Sequence, residues 1–299
     1  MDPICIVTVK KGCAVFMQRY ENLVLDEERA LYAVRDAEII RCKFEGPADG
    51  ESALKECRDV VVRDCGFRLR YPFWHAQNTT IDNCHMTDTC RAALWYDTDV
   101  TICDSVLGGI KALRECDDST LVSCKIESTE FGWYCRGVHM TDCEMKSEYP
   151  FLNTRDMVIE NLKMQGKYSF QYTENVEIRN SVLDTKDAFW HGKNITVYDS
   201  VVKGEYLAWY SENLTLVRCK IIGTQPFCYA KNLVLEDCEM IDCDLSFENT
   251  TVQATVKGEI TSVKNPAGGK ITADSIGEII LDEYQWKNEP CVITERNKA

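Results

Sequence analysis

The sequence predicts an all-β, single-stranded parallel β-helix, because short alternations of apolar and polar residues recur about every 19 residues, small side chains fall at a fixed offset in each repeat, and no repeat carries the apolar spacing of an amphipathic helix. An Asn, Asp or Gly precedes each apolar run: Asp36, Asp59, Asn78, Asp99, Asp118, Gly137, Asp156, Asn175, Asn194, Asn213 and Asn232, with Thr251 as a degenerate last member. The steps are 23, 19, 21 and then 19 throughout. After each anchor comes a period of two, as in "NVEIRNSVL" and "NITVYDSVV", which is the pattern of a half-buried strand. A unit of this length is short for a propeller blade and lacks the leucine-rich consensus. It suits one rung of a solenoid in which each rung hydrogen-bonds to the next about 4.8 Å away. The prediction is one domain over residues 1–299, with about eleven rungs between 36 and 250 and caps at 1–35 and 251–299 that break the pattern.

Each element of the rung follows from its column. The anchors are corner residues, since Asn, Asp and Gly tolerate left-handed or turn backbone and the first two bridge it with a side-chain hydrogen bond. Six residues on, Cys42, Cys65, Cys84, Ser105, Cys124, Cys143, Leu162, Ser181, Ser200, Cys219 and Cys238 form a ladder of small buried groups. Eight residues on lies a second inward column, from Phe44 and Phe67 to Ile221 and Met240. A third, five before each anchor, includes Leu54, Phe73, Leu94, Leu113, Phe151, Phe170, Phe189 and Phe227. Thiols one rung apart are spaced more widely than the roughly 3.8 Å that disulfide Cβ atoms prefer, so the ladder is expected to stay reduced.

With its rungs laid out, the chain resembles a family of uncharacterised bacterial proteins that adopt the right-handed β-helix of the pectate lyase superfold. The stretches that carry the resemblance are "ERALYAVRDAEI", "GESALKEC", "YPFWH", "DAFWHGKNITVYDSVVKGEYLAWYSENLTL" and "ITSVKNPAGGKITAD". The resemblance implies handedness and architecture and carries no activity.

Composition narrows the setting. Forty-eight acidic against 34 basic residues give a net charge of −14, which repels phosphate backbones and anionic lipid, so neither nucleic acid nor membrane is an expected partner. The opening "MDPICIVTVKKG" lacks the charged start and apolar core of an export signal, and 17 cysteines in a long chain fit a reducing cytoplasm. No C-x-x-C pair occurs. Cys57, Cys116 and Cys135 share a column without an accompanying His, so no metal and no cofactor is expected.

The segment "FWHAQN" at 73–78 returns as "FWHGKN" at 189–194, but on this fold His75 and His191 lie six rungs apart, about 29 Å, and cannot share a substrate. Their column reads Glu56, His75, Tyr96, Glu115, Tyr134 and onward. The column beside it, one position earlier, points outward and holds Lys55, Trp74, Trp95, Arg114 and Trp133, a ribbon of rings between cations that would lie flat as a stacking platform for sugars. Arg68 and Arg70, with Arg58 and Arg63, form a basic patch that would receive an acidic sugar. Three functions follow: a non-catalytic carbohydrate-binding or scaffold protein using these residues; a polysaccharide lyase or glycoside hydrolase with a non-standard site at Glu56, His75 and Glu115; or a homo-oligomer joined through the aromatic columns. Glu56 and Glu115 stand three rungs apart, about 14 Å, beyond the roughly 6.5–9.5 Å of an inverting carboxylate pair, so the reading leans away from an enzyme.

Overall fold

Alternation becomes strand throughout. The computed structural model describes residues 18–282 and 290–298, and among them there is no α-helix, so none long and apolar enough to cross a membrane. The chain falls into two compact units, Met1–Met145 and Lys146–Ala299. Both are parallel β-solenoids.

In the first unit the six-residue strands Arg58–Arg63, Gln77–Asp82, Thr98–Cys103, Asp117–Val122 and Arg136–Thr141 stack in strict register, so that Val60, Thr79, Val100, Ser119 and Val138 follow one another along one column. Shorter strands at Lys43–Phe44, Gly66–Phe67, His85–Met86, Val106–Gly108 and Lys125–Glu127 make a second side of each rung, with pairings such as Phe44 on Phe67 and Leu107 on Ile126. A third side is the ladder Phe73–Trp74, Leu94–Trp95 and Leu113–Arg114. In the second unit Met157, Val176, Ile195 and Leu214 continue the same logic.

The rungs run beyond the span expected for them. Gln18–Glu21 pairs with the strand containing Ala37 and Ile40, and Val24–Leu25 with Lys43–Phe44. At the other end Thr251–Lys257, Gly268–Ala273 and Val292–Glu295 are also in parallel register. About fourteen turns form rather than eleven. The expectation missed them because the signals lapse: Gln18 and Tyr20 replace apolar residues at the first and third positions, and the spacing contracts from 19 to 17 where Thr251 pairs with Gly268. The parts of the expected caps at 1–17, 283–289 and 299 lie outside the described residues.

The corners are left-handed, as the anchors require. Asp36, Asp59, Asn78, Asp99 and Asp118 have φ of 48–57°, and so have the corresponding residues of the second unit, Asp156, Asn175, Asn194, Asn213 and Asn232 at 53–58°. In the second unit these side chains form an amide ladder, each Nδ2 donating to the oxygen one rung back: Asn175 to Asp156 at 2.9 Å, Asn194 to Asn175 at 3.1 Å, Asn213 to Asn194 at 2.9 Å and Asn232 to Asn213 at 3.0 Å.

All three inward columns are buried. Phe44 and Phe67 stack at 4.7 Å, and in the second unit Phe170 is held between Phe151 and Phe189 at 4.9 and 5.1 Å. The described cysteines carry free thiols, and all but the half-buried Cys291 are buried. Their Sγ atoms lie against backbone carbonyls, as Cys238 does on Leu216 at 3.3 Å, and burial pushes Cys57, Cys90, Cys228 and Cys243 up to about 12. Cys116 and Cys135 belong to such a ladder, the Cys116 N–H pointing at the Cys135 sulfur at 3.5 Å, and no group of three or more metal-ligating side chains occurs among the described residues.

Two described carboxyls are buried, Asp187 and, most deeply, Asp97. Asp97 is wholly buried, its Oδ1 accepts the Ala76 N–H at 2.8 Å, and its Oδ2 has no donor among the described residues. Burial drives its pKa well above the ordinary carboxylate value, against the smaller opposing effect of its backbone hydrogen bonds. A raised folded-state pKa contributes stability below the unfolded value of about 3.9 and forfeits it as pH rises toward the folded value. Asp97→Asn is therefore expected to gain on the wild type between pH 5 and pH 8, by at most about 1.4 kcal/mol per pH unit, in urea denaturation at matched ionic strength. A pH-independent difference would contradict it. Two further substitutions test the columns: Phe170→Ala should cost about 3–5 kcal/mol. Asn213→Ala should cost about 1–2 kcal/mol and Asn213→Gly less, because only glycine keeps the left-handed backbone without strain.

Candidate functional site

The site predicted from sequence lies on the first unit and is built by one corner and the strand before it. Phe73, Leu94 and Leu113 point inward, so Trp74, Trp95 and Arg114 point outward in register. The next residue of each rung turns the corner: Glu56, His75, Tyr96, Glu115 and Tyr134 all have φ of 52–61°. The first four are fixed to the following rung through their backbone N–H groups, His75 to the Trp95 carbonyl at 3.0 Å and Glu115 to that of Trp133 at 2.8 Å. Positive φ is uncommon for bulky residues; here the architecture imposes it on a whole column.

The outward column closes into a stack. Lys55 Nζ sits 3.7 Å from the centre of the Trp74 ring, Trp74 and Trp95 stack at 5.2 Å with planes 9° apart, and the Arg114 guanidinium covers Trp95 at 5.3 Å. The centroid separation is close to one rung, so the rings face each other along the ladder and stand edge-on to solvent. They do not lie flat, as the sequence reading expected: each indole has both faces covered by a neighbour. Trp133 takes a separate cation, Lys111, at 5.3 Å. Tyr71 leans on both Trp74 and Trp95, at 6.3 and 5.9 Å.

The corner column carries the polar groups. His75 stacks on Tyr96 at 5.2 Å and 10°. Glu56 accepts a hydrogen bond from the Tyr32 hydroxyl at 3.0 Å, so it turns to Tyr32 and not to His75. Glu115 is paired with Arg114 Nε at 2.8 Å. Burial pushes its pKa up, but the Tyr96 hydroxyl and Arg114 outweigh this and hold the carboxyl below its ordinary range; the same hydrogen bond to Glu115 raises Tyr96. Trp95 Nε1 is directed at this cluster without closing a well-formed hydrogen bond, and Trp74 Nε1 is buried with no acceptor among the described residues.

Arg68 and Arg70 do not join the column. Arg68 pairs with Glu45 at 2.9 Å, and Arg70 with Asp49 and Glu51 at 3.2 and 3.6 Å; Arg63 pairs with Glu38 at 2.9 Å. Three of the four arginines of the basic patch are matched by acids that the sequence spacing did not align with them.

The second unit repeats the motif with different polar chemistry. Tyr172, His191, Tyr210 and Tyr229 stack successively at 4.7, 5.1 and 4.9 Å, and burial lowers the His191 pKa. Trp190 and Trp209 stack at 5.4 Å, but their indole N–H groups donate to the carbonyls of Tyr206 and Gln225 at 2.6 and 2.8 Å. The indole N–H groups of Trp190 and Trp209 are thus satisfied by backbone, and those of Trp74 and Trp95 are not. Residue type alone gave no sign of that difference.

No curated protein matches the chain. Among solved structures, the A-module of the Azotobacter vinelandii mannuronan C-5 epimerase AlgE4 is similar over 76% of this chain and 76% of its own length, at 12% identity and a TM-score of 0.30. The periplasmic alginate epimerase AlgG is similar over 87% of this chain and 74% of its own, at 9% identity and a TM-score of 0.35. A tailspike protein of E. coli bacteriophage HK620 is similar over 88% of this chain and 60% of its own, at 10% identity and a TM-score of 0.39. Residues 18–294 match the family described as protein of unknown function (DUF3737), and the chain belongs to that family.

Proposed function

We propose that the protein is a non-catalytic glycan-binding solenoid that reads a linear saccharide along the ridge Glu56, His75, Tyr96 and Glu115. The observation that carries this reading is the register itself: four successive rungs each present one polar or ring-edge group at a pitch of about 4.8 Å, and a sugar unit in an extended chain spans a similar length. Such a ridge recognises hydroxyls by hydrogen bonds from ring edges and carboxylates. It does not stack sugars on Trp74 or Trp95, whose faces are covered. The carboxylates of Glu56 and Glu115 favour this ridge over that of the second unit, where Tyr172, His191, Tyr210 and Tyr229 stand in a row.

Glu115 is held ionised by Arg114 and Tyr96, which suits a hydrogen-bond acceptor better than a general acid. Glu56, three rungs away and bonded to Tyr32, is too far to serve as its partner in a two-carboxylate hydrolysis. Both facts favour binding over a lyase or hydrolase.

Binding is to be measured on a panel of neutral and acidic oligosaccharides, with self-association followed in parallel by sedimentation. His75→Ala and Glu115→Gln should each weaken the best ligand about tenfold with the circular dichroism unchanged, and His191→Ala should leave it intact. Equal losses in His75→Ala and His191→Ala would refute a site on the first unit. Absence of any saccharide binding, with self-association lost in Trp95→Ala, would replace the reading with a homo-oligomer contact.

A further inference from the structure

Gly66 has no structural reason to be glycine. It lies in the strand Gly66–Phe67, its φ is not in the left-handed region, and a Cβ built on it meets no atom within 4 Å. A glycine inside a strand weakens the strand and marks places where something else comes close to the backbone. Here the neighbours in register are Lys43 on one rung and His85 on the next, both exposed, so the missing side chain leaves a notch one rung wide. The notch is a cavity of about 320 Å³ lined by the cations Arg41, Lys43 and Arg68, by His85, and by the acids Glu45 and Asp64. Two of these cations are already matched, Arg41 by Glu21 and Arg68 by Glu45 at 2.9 Å. Lys43 has no carboxylate partner among the described residues. Of the lining acids, Glu45 is bound by Arg68, and Asp64 Oδ1 accepts the neutral Asn83 amide at 2.6 Å and keeps its charge.

We infer that the notch over Gly66 binds the oxyanion of a small acidic ligand, a carboxylate or sulfate, between the Lys43 ammonium and an N–H of the His85 ring. Planar or tetrahedral oxyanions accept from both flanks at once, and the strand floor lets the ligand approach more closely than any side chain would allow. The chain's net charge of −14 offers such a ligand no general attraction, so affinity has to come from this local pair. The notch shares no lining residue with the ridge, and its test is independent of saccharide binding there.

The full chain, labelled for amide and imidazole resonances, is titrated with sodium galacturonate, sodium sulfate and neutral galactose. Both anions should shift Gly66 and His85 saturably and galactose should not; tighter galacturonate assigns the source as an acidic sugar, tighter sulfate as a free oxyanion. Lys43→Met should weaken binding at least tenfold. Gly66→Val should abolish it while keeping or raising the thermal midpoint, because valine fills open space on a strand. Unchanged shifts in folded Gly66→Val, shifts scattered over surface lysines, or no saturable shift at Gly66 and His85 would each overturn the inference.

Discussion

The parallel hydrogen bonds between consecutive rungs are what every other feature rests on. They make residues about nineteen apart nearest neighbours, so one choice of side chain at one position of the repeat is replicated as a column. Phenylalanines meet phenylalanines, amides meet amides, and thiols meet thiols, with little tertiary information beyond the pitch. A single rung buries almost nothing of its own; within each unit the core exists only because rungs are stacked. The left-handed corners serve that pitch. Each turns the chain within one or two residues and hands its N–H to the next rung, so the conformational cost of a positive φ at His75 or Tyr96 is offset by the ladder it completes.

The same pitch dictates how aromatic columns behave. One rung is only slightly more than the thickness of a ring, so planar side chains repeated at one position must lie face to face. Their faces are then removed from solvent and only edges and polar heads remain. A surface row of tryptophans on such a fold is therefore chemically a row of indole edges and flanking cations. This explains why Lys55 and Arg114 belong to the stack: they cap the two faces that the ladder leaves open at its ends.

Much of the fold was legible in the sequence because the repeat is encoded in residue types with strong local reasons. Asn and Asp at the anchors mark left-handed corners, and Cys42, Cys65 and Cys84 mark an inward column of mostly small buried groups. The terminal rungs were illegible because Gln18, Tyr20 and the shortened 17-residue step carry neither sign. At the candidate site, the sequence placed Lys55, Trp74, Trp95 and Arg114 in one column, but not the tilt of their rings, which depends on rung spacing in three dimensions. It could not foresee that Arg68 and Arg70 would meet Glu45 and Asp49, nor that Tyr32 would take Glu56, since those partners come from rungs with irregular spacing. Asp97 was invisible for another reason: an acid two residues before an anchor looks like any surface acid until the column around it proves to be Cys57, Ala76 and Cys116, all buried.

The thiol columns give each unit an internal clock. The sulfurs in them are buried between neighbouring rungs, and burial holds thiols such as Cys57, Cys90, Cys228 and Cys243 in their unreactive protonated form. A cysteine can meet an alkylating reagent only when its own turn peels away. The chemistry of the core therefore records, position by position, the sequence in which a solenoid of this kind comes undone.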